Sequence, residues 1–225
     1  SDYLKKKLKQ TIKFINSEFL IKNNLLGSAY DADSDGVEGK YYVWKYQELK
    51  DILGNKLEIF KNKYYISEEG NFEGSNILVE NLNSNINQAS EINELEKKLL
   101  KIRKKRNKPF FDDKSQTDLN AFWIYVNLYS STILNDKILF EKSIKNFENF
   151  NKIYENKLFH CYNDNKQIDV FLEDYVYFSL LLISNYEFTK NQSSLEKCIK
   201  LMDEAWYNFF NSNEAILQKN KIQSN

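Results

Sequence analysis

Leu4, Leu8, Ile12, Ile15 and Phe19 recur at three- and four-residue intervals, which predicts an amphipathic helix from residue 2 to about residue 24. Lys5, Lys6, Lys7 and Lys9 form its solvated side, and Gly27 ends it. Tyr46 to Leu53 and Leu57 to Tyr64 read as two short helices with Gly54 between them. Lys40 to Trp44, KYYVW, favours a short strand. Tyr64 to Ile66 and Asn76 to Val79 read as strands around the turn Glu69-Gly70-Asn71. Residues 81 to 87 are rich in Asn and Ser and read as a loop.

Longer helical patterns follow. Ser90 to Arg106 is a charged helix with an apolar stripe of Ile92, Leu95, Leu99 and Ile102, and Pro109 breaks the chain after it. A helix is predicted from Asp113 to about Leu134, with Asp113 and Gln116 spaced as a capping box. Lys137 to Tyr154, Val170 to about Phe188 and Leu195 to about Phe210 follow, the last two separated by the polar turn Thr189 to Ser194. Helix, short connection, helix is the repeated theme, with no alternation of strand and helix. The fold class is therefore all-α, built of antiparallel hairpins, with a small β-hairpin and loop insertion.

With 225 residues and 42% hydrophobic content, the chain can bury one sizeable core, and 1–225 reads as a single domain. Lys and Arg balance Asp and Glu at 32 each, which argues against nucleic acid or an anionic membrane as partner. No apolar run reads as a membrane span, and no leader segment is visible. Aromatics at 15% supply either a ring-rich core or rings for stacking on sugars. Cys161 and Cys198 have no metal or redox spacing, so a reducing, cytoplasmic setting is expected, with no cofactor and no metal. The chain begins at Ser1, and Ala215 to Asn225 carries no helix stop, so it reads as a fragment.

Three acidic clusters offer chemistry. Asp31, Asp33, Asp35 and Glu38 lie in AYDADSDGVEGKYYVW with no base among them. The run D-x-D-x-D-G matches the start of a calcium loop, but Tyr42 stands where an EF-hand needs Glu. The same carboxylates can instead bond backbone amides of their own turns. Asp112, Asp113 and Lys114 sit at a helix mouth, where they can cap it or act as acid and base on a polyol. Glu173 and Asp174 begin a helix that is apolar all round, so they must cap it, be paired, or face a polar cavity. His160, the single histidine, reads as a loop residue, and a nucleophile triad has no spacing support.

Four ordered segments carry a family resemblance: DADSDGVEGKYYVW; Gly70-Asn71-Phe72-Glu73-Gly74 with Asn76-Ile77-Leu78; Arg103 to Asn120; and Phe171-Leu172-Glu173-Asp174-Tyr175. Together they resemble the YyaL / spermatogenesis-associated thioredoxin-domain family. The resemblance implies a partial (α/α)6 toroid, related to six-hairpin glycosidases and sugar epimerases. It implies a thioredoxin-like domain as partner in the intact protein, and a carbohydrate-like ligand in an acidic cavity. Asp33, Asp113 and Asp174 are the implied catalytic carboxylates. Asp31, Glu38, Asp112, Lys114, Asn120, Glu173 and Tyr175 are the implied substrate contacts. Arg103 and Arg106 match the family and stand as partners for Asp112. Leu119 departs from the family's Trp. A non-catalytic scaffold serving the thioredoxin-like domain is the alternative.

Overall fold

The computed structural model describes residues 1–83, 89–155, 157–162, 169–211, 214 and 216–217. Most of the loop predicted at 81–87 and of the tail 215–225 lies outside them. The described chain is mostly helical, with paired strands of two residues each. By contacts it divides into two compact units, Ser1–Ala29 with Asp112–Asn225, and Tyr30–Phe111. The hydropathy pattern drew no boundary at either junction, because helix periodicity is the same on both sides.

The first unit holds α1 (Asp2–Glu18). Ser1 caps it by accepting the Leu4 N–H at 3.5 Å. It stops six residues short of the prediction. The chain turns back through Asn23 and Asn24, both at positive φ, and Leu20 bridges Leu26. Asn tolerates the left-handed region that most side chains resist.

Two helical hairpins follow in this unit. They are α5 (Thr117–Leu134) with α6 (Lys137–Ile153), and α7 (Leu172–Thr189) with α8 (Gln192–Phe209). Asn135 ends α5 and Lys190 ends α7, each in the left-handed conformation. One residue later Asp136 caps α6 and Asn191 caps α8, which makes both connections tight. α5 packs on α6 and α7, and α7 on α8. Phe150, Phe178, Leu128, Leu181, Leu182 and Phe209 are fully buried in the shared core. The predicted burial of α7 on all sides is only partly met: Val176, Leu180 and Ile183 stay 38–40% exposed along one stripe.

The second unit contains α2 (Tyr46–Leu53), α3 (Leu57–Lys63) and α4 (Ala89–Arg103) around Trp44, Leu49, Phe60, Ile92 and Leu99. The strand predicted over Lys40–Trp44 is reduced to a single bridge from Trp44 to Asn76. The ladder lies earlier, where Asp33–Ser34 pairs with Val37–Glu38. Asp35 and Gly36 link those strands at φ 53° and 70°, both positive, as the tightest hairpin turn requires. D-G in the acidic run is thus a hairpin signal.

Gly70 has the stricter need. Its φ is +80°, and a Cβ there would lie 2.3 Å from the Ser75 carbonyl oxygen. That oxygen accepts the Asn71 and Phe72 N–H groups, so it cannot retreat. Gly70→Ala is expected to cost about 2–4 kcal/mol, and Gly36→Ala, with no atom within 4 Å of its Cβ, about 1 kcal/mol. Urea unfolding of the two variants checks the difference.

Candidate functional site

The first turn of α5 and the first turn of α7 meet at one buried carboxylate. Asp174 is fully inaccessible. Its Oδ2 accepts the Phe171 N–H at 2.8 Å, capping its own helix, and its Oδ1 accepts the Asp118 N–H of α5 at 3.2 Å. Both helix N-termini therefore direct their positive ends at it. The third partner is His160, whose Nδ1 lies 3.0 and 3.1 Å from the two carboxylate oxygens. Burial pushes the Asp174 carboxyl above its ordinary value, opposed by the Phe171 and His160 hydrogen bonds.

His160 is held by several neighbours. Its carbonyl accepts the Thr117 N–H at 2.8 Å, next to a two-residue ladder that pairs Ser115 with Tyr162 and Gln116 with Cys161. The Gln116 amide nitrogen stands 3.2 Å from Nε2, and the Phe171 ring meets the imidazole edge to face. A carboxylate only accepts, so Nδ1 carries the proton that bonds Asp174, and Nε2 is left to face the Gln116 amide. Beneath, Thr117 donates to the Phe159 carbonyl, and its hydroxyl is 2.7 Å from that of Tyr154. Burial raises the Tyr154 phenol, which stays neutral.

The imidazole opens onto a cleft of about 300 Å³ lined by Asp118, His160, Phe171 and Glu173. Glu173 and Asp174 have thus divided their roles: the first lines the cleft, and the second turns inward to fix the histidine. Asp118, His160 and Asp174 bring ligand-type atoms within 4.8 Å of one another, the one such group among the described residues. Asp174 already accepts three donors, and the Nδ1 of His160 is one of them. That bonding suits a hydrogen-bonded hub better than a cation shell, where these atoms would need free lone pairs.

The other expected site residues fall elsewhere. Asp113 is exposed, and α5 begins at Thr117, with Gln116 making no side-chain cap. The predicted capping box therefore does not form, because Ser115 and Gln116 are drawn into the ladder with Cys161 and Tyr162. Asp112 pairs with Lys114 at 3.0 Å, which holds its carboxyl below the usual range. Asn120 is buried and fully occupied. It exchanges hydrogen bonds with the Leu26 backbone at 2.7 and 3.1 Å and donates to Ser115 and the Gln116 carbonyl. Tyr175 is a core residue packed on Phe209. Asn120 and Tyr175 thus tie the unit together and do not line the cleft.

In the second unit, Asp31 and Asp33 are exposed, with the Asp33 N–H 3.4 Å from an Asp31 oxygen. Asp35 is held by Lys40 and Asn107, each at 3.0 Å, and its carboxyl is lowered, chiefly by Asn107. Asp31 thus bonds a backbone amide of its own turn, as the bland alternative drawn from the sequence has it, while Asp35 is held by side chains instead. Glu38 lines an open cavity in the same unit. Arg106 pairs with Glu48, not Asp112.

Sequence reasoning passed over Asp118 and set His160 aside. The usable signal lay in topology: two consecutive hairpins place the starts of α5 and α7 at one end, which brings Asp118 and Asp174 together. A scan against protein-family models found no match, and a search of curated proteins found none that matches significantly.

Proposed function

We propose that the helical unit binds and acts on a carbohydrate-like polyol in the cleft beside His160. The observation that carries this is the imidazole fixed by a buried carboxylate on the wall of an open, acidic cleft. Nε2 exchanges its Gln116 partner for a ligand hydroxyl and serves as the proton acceptor. Glu173 and Asp118 accept neighbouring hydroxyls, as two carboxylates on a vicinal diol can. Asp174 touches no ligand, and acts by positioning His160. Asp113 and Asp33 take no part in this cleft.

On this reading the hairpins belong to an (α/α)6 toroid of a six-hairpin, glycosidase-like kind, within a longer protein of the YyaL-like, thioredoxin-domain-containing family. Its setting is cytoplasmic carbohydrate metabolism. Two free, buried cysteines fit a reducing compartment, and no helix among the described residues is long and apolar enough to cross a membrane.

The single histidine makes the test clean, since every imidazole resonance belongs to His160. Nitrogen-15 NMR is expected to report the Nδ1–H tautomer, and adding glucose or a hexitol should move the Nε2 signal. Glu173→Gln should weaken that response about tenfold while leaving the tautomer unchanged. Ring signals indifferent to every polyol offered would overturn the proposal. They would leave the unit as a non-catalytic scaffold for a thioredoxin-like redox domain.

A further inference from the structure

The second unit carries a larger cavity, about 630 Å³ in volume and within the usual range for small-ligand sites. Four carboxylates line it, Asp35, Glu38, Glu48 and Glu73, and so do four cations, Lys40, Lys45, Lys105 and Arg106. Half of these charges are spent on the wall itself. Lys40 pairs with Asp35 at 3.0 Å, and Arg106 grips both Glu48 oxygens at 2.8 and 3.0 Å. Lys45 donates to the Gly74 carbonyl at 3.1 Å, which ties down the turn bearing Glu73 but leaves its charge unbalanced.

Glu38, Glu73 and Lys105 have no side-chain partner among the described residues. Glu73 is placed at the rim by the turn Glu73-Gly74, both residues at positive φ, 45° and 68°, closed by the bridge from Phe72 to Ser75. Phe72, Tyr41, Val37 and Val43 supply the apolar part of the lining.

The remaining charges, two carboxylates and two ammonium groups, are balanced. A polyanion would meet the carboxylates, and a polycation the lysines. A neutral ligand would cover charges of both signs without pairing them, and covering an unpaired charge is unfavourable. A ligand with one ammonium and one carboxylate answers both. We propose that this cavity binds a zwitterionic ligand of short-peptide size, its ammonium taken by Glu38 and Glu73 and its carboxylate by Lys105 and Lys45. A side chain of the ligand lies against Phe72 and Val37. This site is independent of the His160 cleft.

The test titrates the full chain with the dipeptide phenylalanyl-alanine, followed by amide NMR shifts and calorimetry. Free dipeptide is expected to bind and to move the amides of Phe72, Glu73 and Lys105. N-acetylation or C-terminal amidation should each weaken it about tenfold, and so should Glu73→Gln or Lys105→Gln. Both side chains are exposed, so the variants should melt with the parent. Capped dipeptide binding as tightly as the free one would overturn the proposal. So would free dipeptide that moves none of these amides, or maltose binding there in its place.

Discussion

Replacing Asp174 with alanine is expected to remove about 3–5 kcal/mol of folding stability. The carboxylate is wholly inaccessible and satisfies three donors: the Phe171 N–H, the Asp118 N–H and the His160 ring. Alanine would leave two backbone donors at helix N-termini without their acceptor, each costing roughly 1–3 kcal/mol. Asn is the sharper probe. It keeps one acceptor oxygen and the volume but turns an amide toward a donor, so a loss of about 1–3 kcal/mol is expected. His160 should then exchange tautomer, with the proton moving to Nε2.

A pH series separates these effects. Burial raises the folded-state value of Asp174 above 3.8, so between the two values the folded chain binds the proton more strongly than the unfolded chain. Stability from this group is complete below about 3.8 and falls as pH rises through the raised folded value. Asp174→Asn should lack that fall. Urea midpoints across the acidic range measure it, and a wild-type slope unchanged in the variant would refute the assignment.

The helices were legible because their apolar residues repeat at 3.6. The stripe Ile92, Leu95, Leu99 predicted α4 within a few residues, and the apolar residues of 137–154 predicted α6. Ends were legible only where the local chemistry was decisive. Asn135-Asp136 and Lys190-Asn191 each close one helix and cap the next, and both lie where polar residues interrupt the pattern. The start of α5 was not, because a tertiary partner settles it. Gln116 pairs with Cys161 across forty-odd residues, and no local signal at Asp113 competes with that ladder. The site was half legible. An acidic pair opening an apolar helix had to be capped, paired or facing a cavity; Asp174 is buried, capped and paired, while Glu173 is exposed and lines the cleft. That His160 would be the partner depended on a loop closing over the helix ends, and spacing carries no record of such a closure.

Arg106→Ala is expected to lower the stability of the second unit by about 2–4 kcal/mol. The side chain collects the surrounding backbone. One guanidinium nitrogen donates to the carbonyls of Lys40, Tyr41 and Val43 at 3.4, 3.0 and 2.8 Å. The other holds Glu48, and the guanidinium carbon lies 4.0 Å above the buried Trp44 ring. Alanine would orphan several acceptors in one step and uncover the indole. Because the pair remains partly open to water, its charge contributes less than a buried pair would, and the carbonyl bonds and ring stacking dominate. Lysine should therefore not rescue it. A point charge can answer Glu48, but it has no planar fork to span three carbonyls and lie flat on Trp44. Arg106→Lys should thus recover less than half of the loss, with the melting midpoint of Arg106→Ala down by roughly 10 °C. Near-complete recovery by lysine would mean that the Glu48 ion pair, and not the carbonyl cluster, holds this segment.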